Sequence, residues 1–128
     1  KANLIKNKNF SLGYSNEKIS FETIKAKHGF THSMVYIFEK TAYISDTNDL
    51  SLAKNNRLKN LNYLIIDCLK YKKHPSHFNL KESLFMHYKL KPKKTILTNL
   101  HQDLDYDQLF KKLPKNIIPA YDGLSIKL

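Results

Sequence analysis

The sequence predicts an α/β domain in which helices pack on a sheet. Short apolar runs typical of strands are separated by segments in which apolar residues recur at helical spacing. Along the chain the strands come first, and the pattern then alternates as β-α-β-α-β-α-β-β, an order that predicts helices layered on a sheet. The length of 128 residues is that of one domain.

The first part of the chain predicts three strands. In KISFETIKAKHG apolar and polar residues alternate, and the pattern ends near Gly29. The stretch SMVYIFEKTAYISD predicts two more strands, 34–38 and 42–45. Residues 1–16 show no clear element of their own.

The second part of the chain alternates helices and strands. NDLSLAKNNRLKNL predicts a helix capped by Asn48 or Asp49, NLKESLFMHYKLK a second helix capped by Asn79, and DYDQLFKKL a third. The continuous apolar runs NYLIIDCL and KKTILTNL predict buried strands, and IIPAYDGLSIKL predicts a terminal hairpin around Asp122-Gly123. The second helix would carry one apolar face, formed by Leu80, Leu84, Phe85 and Tyr88.

The composition restricts the classes of function. A net charge of +11 favours phosphate-bearing partners, either nucleic acid or a small anionic substrate. Arg57 is the only arginine, and arginine is the usual residue for bidentate phosphate contacts, so a dedicated nucleic-acid surface is the weaker alternative. Cys68 is the only cysteine, which rules out an internal disulfide and fits a cytoplasmic setting. No apolar run approaches the ~20 residues that a membrane span requires.

Residues suited to bind a metal follow several of the predicted strands. In open α/β sheets, ligands bind where the carboxyl ends of the strands meet, and histidine and aspartate are donors that zinc and manganese accept. A single residue of this kind usually caps a loop, so the pattern alone leaves metal binding and loop capping as equal alternatives. The residues are His28, Asp46, Asp67, His74, His77 and His101.

Four stretches taken together resemble a known family. AYISDTND, LIIDCLKYKKHPSHFNLKESL, ILTNLHQDLDYDQL and AYDGLSIKL are similar to the C-terminal half of metallo-β-lactamase-fold hydrolases. The nearest branch is that of the phosphoribosyl 1,2-cyclic phosphate phosphodiesterases, which are related to ribonuclease Z. The resemblance implies half of an αββα sandwich, a mixed sheet with helices on one face, with residues 1–128 as a single domain.

One motif of that family does not occur in these residues. The motif His-x-His-x-Asp-His, which supplies most of the metal ligands in the family's N-terminal half, is absent from the 128 residues. The resemblance therefore implies either the C-terminal part of a protein about twice as long or a degenerate member. We expect the chain alone to be inactive.

The resemblance also implies a role for each site residue. Asp46 would bridge two divalent ions, Zn or Mn, while His28 would bind one ion and His101 the other. Asn99 stands where many relatives have a histidine ligand, so Asn99 is the alternative to His101. His77 would donate a proton to the leaving oxygen or stabilise the charge that develops there.

The implied activity is hydrolysis of a phosphodiester, such as a cyclic phosphate, by a water whose pKa the two ions lower. The expected partners are a small phosphorylated substrate or an RNA end, with no membrane, and a second copy of the chain in a homodimer. A non-catalytic, basic nucleic-acid-binding domain is the alternative, because LKYKKHPSHFN interleaves aromatic residues with lysines.

Three other polar residues have simpler interpretations. Asp67 would orient a ligand or satisfy a loop, and Asp105 is expected to cap the third helix. His87 is expected at the surface of the second helix.

Overall fold

The computed structural model describes residues 9–14 and 17–128. Within these residues, seven strands form one mixed sheet whose spatial order is the order of the chain, and two α-helices accompany it, so the predicted α/β class is confirmed. None of these helices is long and apolar enough to cross a membrane. The elements are β1 (Asn9–Tyr14), β2 (Glu17–His28), β3 (Thr31–Phe38), β4 (Thr41–Ile44), β5 (Tyr63–Asp67), α1 (Leu80–Leu90), β6 (Lys94–Thr98), α2 (Tyr106–Lys112) and β7 (Ile117–Pro119).

The connections explain why the helices lie on one face of the sheet. Neighbours from β1 to β4 are antiparallel, whereas neighbours from β4 to β7 are parallel and need crossover connections. The parallel strands follow one another in a single direction across the sheet. Because such crossovers are right-handed, all of them lie on the same side. The fully buried side chains of that side form the core, among them Ile44, Leu64, Ile66, Leu97 and Ile117.

The second face of the sheet is also apolar but is covered less. Strand register aligns one row of side chains across five strands: Tyr36, Tyr43, Ile65, Ile96 and Ile118. Ile96 is buried, but Tyr43 is 38% exposed and the other three are half-buried. The helices therefore cover one face of the sheet, and the described residues cover this second face only in part.

The first predicted helix, over NDLSLAKNNRLKNL, is wrong. Two short 3-10 helices, Leu50–Lys54 and Asn56–Leu58, occupy this segment. Asp49 caps the first, as predicted, but Asn55 adopts an extended backbone and its side chain accepts a hydrogen bond from the Arg57 N–H. An asparagine that satisfies the backbone in this way competes with continued helix, which explains the break.

The two ends of the chain also differ from the prediction. Residues 9–14 form β1, paired with β2, where no element was expected, and residues 1–8 and 15–16 lie outside the described residues. The terminal hairpin is wrong: β7 is a single strand parallel to β6, and a turn follows it. The segment after the turn crosses to β5 instead, where the Tyr63 hydroxyl donates to the Lys127 carbonyl at 3.0 Å.

Helix α1 begins as predicted but buries a different face. Asn79 and Glu82 form a capping box at its start. Of the apolar face expected from the sequence, Phe85 and Tyr88 are exposed. The buried residues of the helix are Ser83, Met86, His87 and Leu90.

The placement of His87 at the surface is therefore wrong. His87 is 5% exposed, and its Nδ1 lies 2.7 Å from the Thr95 hydroxyl on β6. The Asn116 amide nitrogen lies 3.3 Å from Nε2. If Asn116 donates there, Nε2 is an acceptor and the ring is neutral, and these hydrogen bonds offset the cost of burying a polar ring.

We expect His87 to make the protein less stable in acid. Burial lowers the pKa of His87 below its ordinary value, so the unfolded chain takes up the proton first. The contribution of neutral His87 to the free energy of unfolding is therefore complete above about pH 6.5. It is lost as the pH falls through the pKa of His87 in the folded state, and the free energy of unfolding falls by at most ~1.4 kcal/mol per pH unit. Urea unfolding of the wild type and of His87→Gln between about pH 7.5 and about pH 4.5 should give a shallower slope for the variant. His32→Gln, at an exposed position, serves as the control, and equal slopes for wild type and His87→Gln would contradict the prediction.

Candidate metal centre

The direction of the strands brings the candidate ligands to one edge of the sheet. Strands β2, β4, β5 and β6 run in the same direction, because β2 and β4 are each antiparallel to β3 and the later neighbours are parallel. Their carboxyl ends therefore share an edge. His28 ends β2, Asp46 follows β4, Asp67 ends β5 and Asn99 follows β6.

Three side chains converge at this edge. One ligand atom each from His28, Asp46 and His77 can be chosen so that all lie within 4.8 Å of one another. The two Nε2 atoms of His28 and His77 are 3.3 Å apart, and the Asp46 Oδ1 lies 3.8 Å from the His77 Nδ1. Asp46 is exposed and both histidines are half-buried, so the group is open to solvent on one side.

Asp67 fixes the orientation of the His77 ring. Its carboxylate is fully buried, and its Oδ2 lies 2.7 Å from the His77 Nδ1, which therefore acts as the donor. Asn99 donates its amide to the other oxygen, Oδ1, at 2.9 Å. Burial raises the pKa of the Asp67 carboxyl, although the hydrogen bonds from Asn99 and His77 act in the opposite direction. In neutral His77 the free lone pair is then on Nε2, which faces His28.

Two of these residues have a left-handed backbone. Asp46 has φ 52° and Asn99 has φ 58°, a region that aspartate and asparagine tolerate better than other residues with a Cβ. Asn99 directly follows β6 and Asp46 is the second residue after β4, where the chain turns away from the sheet. Aspartate and asparagine at these two positions thus tolerate the left-handed backbone and also contribute polar side chains to the site.

Hydrogen bonds to the backbone connect the loops that carry the site. The Thr47 hydroxyl donates to the Lys27 carbonyl at 2.6 Å, and the Phe78 N–H donates to the Thr47 carbonyl at 2.9 Å. The Leu69 N–H donates to the Phe78 carbonyl, and the His101 N–H donates to the Leu69 carbonyl, both at 2.9 Å. The end of β2 and the loops after β4, β5 and β6 are therefore linked in series.

His101 lies apart from the convergent group. Its side chain is 45% exposed, and its Nδ1 accepts from the Asp103 N–H at 3.3 Å. Among the described residues, the group that could hold a metal includes His77 and not His101. Asn99, in contrast, reaches to within 3.5 Å of the His77 Nδ1. The assignment of the third ligand to His101 or Asn99 stays a prediction, as do the roles of His28, Asp46 and His77.

Two neighbouring residues lie outside the convergent group. Cys68 is fully buried, and burial raises the pKa of its thiol to about 12, so it is not a nucleophile at neutral pH. The Nδ1 of His74 accepts from the Ser76 N–H at 3.4 Å, and its ring centroid lies 5.1 Å from that of His77. Asp105 caps α2 through the Gln108 N–H at 2.8 Å, as expected.

Comparison with solved structures identifies the fold. A structure described as a new diphosphatase from the PhnP family is 30% identical in sequence and superposes with a TM-score of 0.83, covering 92% of this chain and 46% of its own. The metallo-β-lactamase-fold protein YhfI from Bacillus subtilis superposes with a TM-score of 0.70 at 16% identity, covering 90% of this chain and 51% of its own. The chain has the metallo-β-lactamase fold. The resemblance seen in the sequence is thereby confirmed.

Two further comparisons extend this result. Human tRNase Z, short form, shares the metallo-β-lactamase fold with a TM-score of 0.64 at 14% identity, covering 94% of this chain and 47% of its own. The chain thus spans about half the length of each of the three structures. A protein of Porphyromonas gingivalis named octanoyltransferase is 28% identical over 109 residues, which are 83% of this chain and 22% of that protein. No family model matches the chain.

Proposed function

We propose that this metallo-β-lactamase-fold chain is part of a metal-dependent hydrolase that cleaves a phosphodiester, such as a cyclic phosphate. The observation that carries the proposal is the convergence of His28, Asp46 and His77 within 4.8 Å at the ligand-binding edge of the sheet. One of the similar solved structures, 30% identical to this chain, is described as a diphosphatase, and another is a tRNase. Both names refer to enzymes that act at phosphate groups.

The donor set fits divalent ions of the zinc or manganese type. Imidazole nitrogens and an exposed carboxylate are the ligands such ions take, and the Nε2 of His77, 3.3 Å from that of His28, would lie beside an ion bound there. His28 and Asp46 would hold the ions. For the third ligand, His101 is the chemically stronger donor, but its ring would have to turn away from Asp103, whereas Asn99 already lies at the site.

We further propose that the chain is the C-terminal half of the complete enzyme. Three or four protein ligands per ion are usual for zinc, so two ions would need more donors than this group offers. The chain spans about half the length of the structures it matches, and the partly exposed row on the second face of the sheet supports a further layer there. The single cysteine is consistent with a cytoplasmic enzyme. A small phosphorylated substrate or an RNA end, and a homodimer, remain the proposed partners.

Different residues of this chain would have different roles in hydrolysis. When bound, the ions would lower the pKa of a water molecule and neutralise charge on the phosphoryl oxygens. His77 would act on the leaving group: its Nδ1–H is committed to Asp67, so Nε2 is the nitrogen that can deliver a proton to the leaving oxygen. The Asp67 carboxylate would stabilise the positive ring before that transfer, and Asn99 would hold Asp67 in position.

Hydrolysis of bis(p-nitrophenyl) phosphate tests the proposal. The full-length protein loaded with Zn or Mn should release p-nitrophenol, and a chelator should stop the reaction. The 128-residue chain alone should be slower by at least ~100-fold, because it lacks most of the ligands. A full-length protein that is inactive with every divalent ion would refute the hydrolase. Strong activity of the chain alone would refute its assignment as an incomplete half.

A further inference from the structure

A pocket that has no part in any of the roles proposed above lies beside the candidate metal centre. It has a volume of about 470 Å³ and opens between the end of β6 and the turn after β7, lined by residues 98–100 and 120–124. This volume is in the range of about 300–1,000 Å³ typical of small-molecule sites. Asn99 belongs to both places, because it lines the pocket and donates its amide to Asp67 at 2.9 Å. A single residue, Asn99, therefore separates the pocket from His77 in space.

The chemistry of the lining favours an uncharged group that carries hydroxyls. Among the described residues of the lining, Asp122 carries a negative charge and no lysine or arginine is present. Thr98 and Tyr121 add hydroxyls, and Asn99 adds an amide. A phosphate would meet a carboxylate here without a cation to bind it, whereas hydroxyl groups can donate to the carboxylate in strong hydrogen bonds.

An exposed aromatic surface borders the same pocket. Tyr121 is 56% exposed, and its ring packs edge-to-face on Tyr106 with a centroid distance of 6.3 Å. Tyr106 in turn stacks on Phe110 at 6.1 Å. Tyr121 therefore packs on one aromatic ring, that of Tyr106, and its own ring remains accessible to solvent. Such a ring is a platform on which a planar base can stack.

We propose that this pocket binds the nucleoside part of a substrate, with ribose hydroxyls donating to Asp122 and the base stacked on Tyr121. The phosphoryl group would then lie beyond Asn99, next to His77. That last placement rests on the proposed hydrolase function. Binding of the nucleoside itself does not, because neither Asp122 nor Tyr121 belongs to the metal-binding group.

Binding of adenosine to the full-length protein, measured by calorimetry without added metal, tests the proposal. We expect saturable binding at millimolar or lower concentration, weakened about 5- to 100-fold by Tyr121→Ala, since loss of one stacking ring has effects of this size. Tyr121→Phe keeps the ring and should bind as the wild type does. 2′,3′-Dideoxyadenosine should bind the wild type about tenfold more weakly than adenosine, and Asp122→Asn should reduce this preference.

A matched control and two contrary outcomes complete the experiment. Tyr88→Ala removes a tyrosine of similar exposure, 59%, from α1, and it should leave adenosine binding unchanged. No binding at roughly 10 mM adenosine, or equal losses in Tyr121→Ala and Tyr88→Ala, would overturn the nucleoside site. Adenosine binding by a protein that hydrolyses no phosphodiester would instead refute the hydrolase and leave the nucleoside site intact.

Discussion

Replacement of His77 by alanine in the full-length protein is expected to lower kcat for phosphodiester hydrolysis by about 10²–10⁴-fold, the usual range for a positioned general acid. The reason is the geometry of its ring. Asp67 holds the Nδ1 at 2.7 Å, and Nε2 faces the convergent group, where a leaving oxygen could take its proton. Metal content should stay close to that of the wild type, because His77 is assigned to the leaving group.

Two substrates with leaving groups of different pKa provide the measurement. The deficit of His77→Ala should shrink for the better leaving group, which needs little protonation. His74→Ala is the matched control, since His74 lies in the same loop with its ring centroid 5.1 Å from that of His77 and its Nδ1 engaged by Ser76. If His77→Ala loses metal as fully as Asp46→Ala, or slows both substrates equally, the acid role assigned to His77 is wrong. Its position within 4.8 Å of His28 and Asp46 makes this the outcome to examine first.

The second large effect is expected for Asp46→Ala in the full-length protein. Removing a carboxylate that bridges two ions should reduce metal content and turnover together. The loss in turnover should be at least ~100-fold, because even residues that only orient metal ligands are worth about 10- to 100-fold. Metal analysis after gel filtration and the rate with bis(p-nitrophenyl) phosphate measure the two quantities on the same sample.

The backbone at Asp46 calls for a second variant. With φ 52°, an alanine at this position introduces strain as well as removing the carboxylate. Asp46→Asn keeps a residue that tolerates the left-handed region, so a metal loss seen in both variants is due to the missing charge. Metal retained in both variants would show that Asp46 is not a ligand.

Much of the fold was predictable because its strands have a clear pattern. The runs that became β2 to β6 are alternating or continuously apolar, and the caps Asn79 and Asp105 satisfy backbone groups at the starts of their helices. The buried face of α1 was not predictable in this way. Ser83 and His87 are polar, and only their partners on the sheet, the Asp67 carbonyl and the Thr95 hydroxyl, make burial acceptable.

The sequence predicts which residues form the site better than it predicts how their side chains are arranged. The common direction of the strands explains why His28 and Asp46 could be placed at one edge from the sequence. The hydrogen bonds that join Asp67, His77 and Asn99 depend on where the loop after β5 folds back, and no local pattern encodes that. The pocket at residues 120–124 does not follow from the sequence, because the pattern around Asp122-Gly123 predicts the turn of a hairpin.

The series of backbone hydrogen bonds through Thr47, Phe78 and Leu69 has a consequence for motion. A loop that is free on its own fluctuates in nanoseconds to microseconds, but here each loop is anchored to the next one. Opening one of them breaks a bond to its neighbour, so the loops are expected to open as one cooperative unit, at a higher free-energy cost than single-loop fraying. An arriving ion would therefore find its ligands already gathered, and little conformational entropy would remain to be lost on binding.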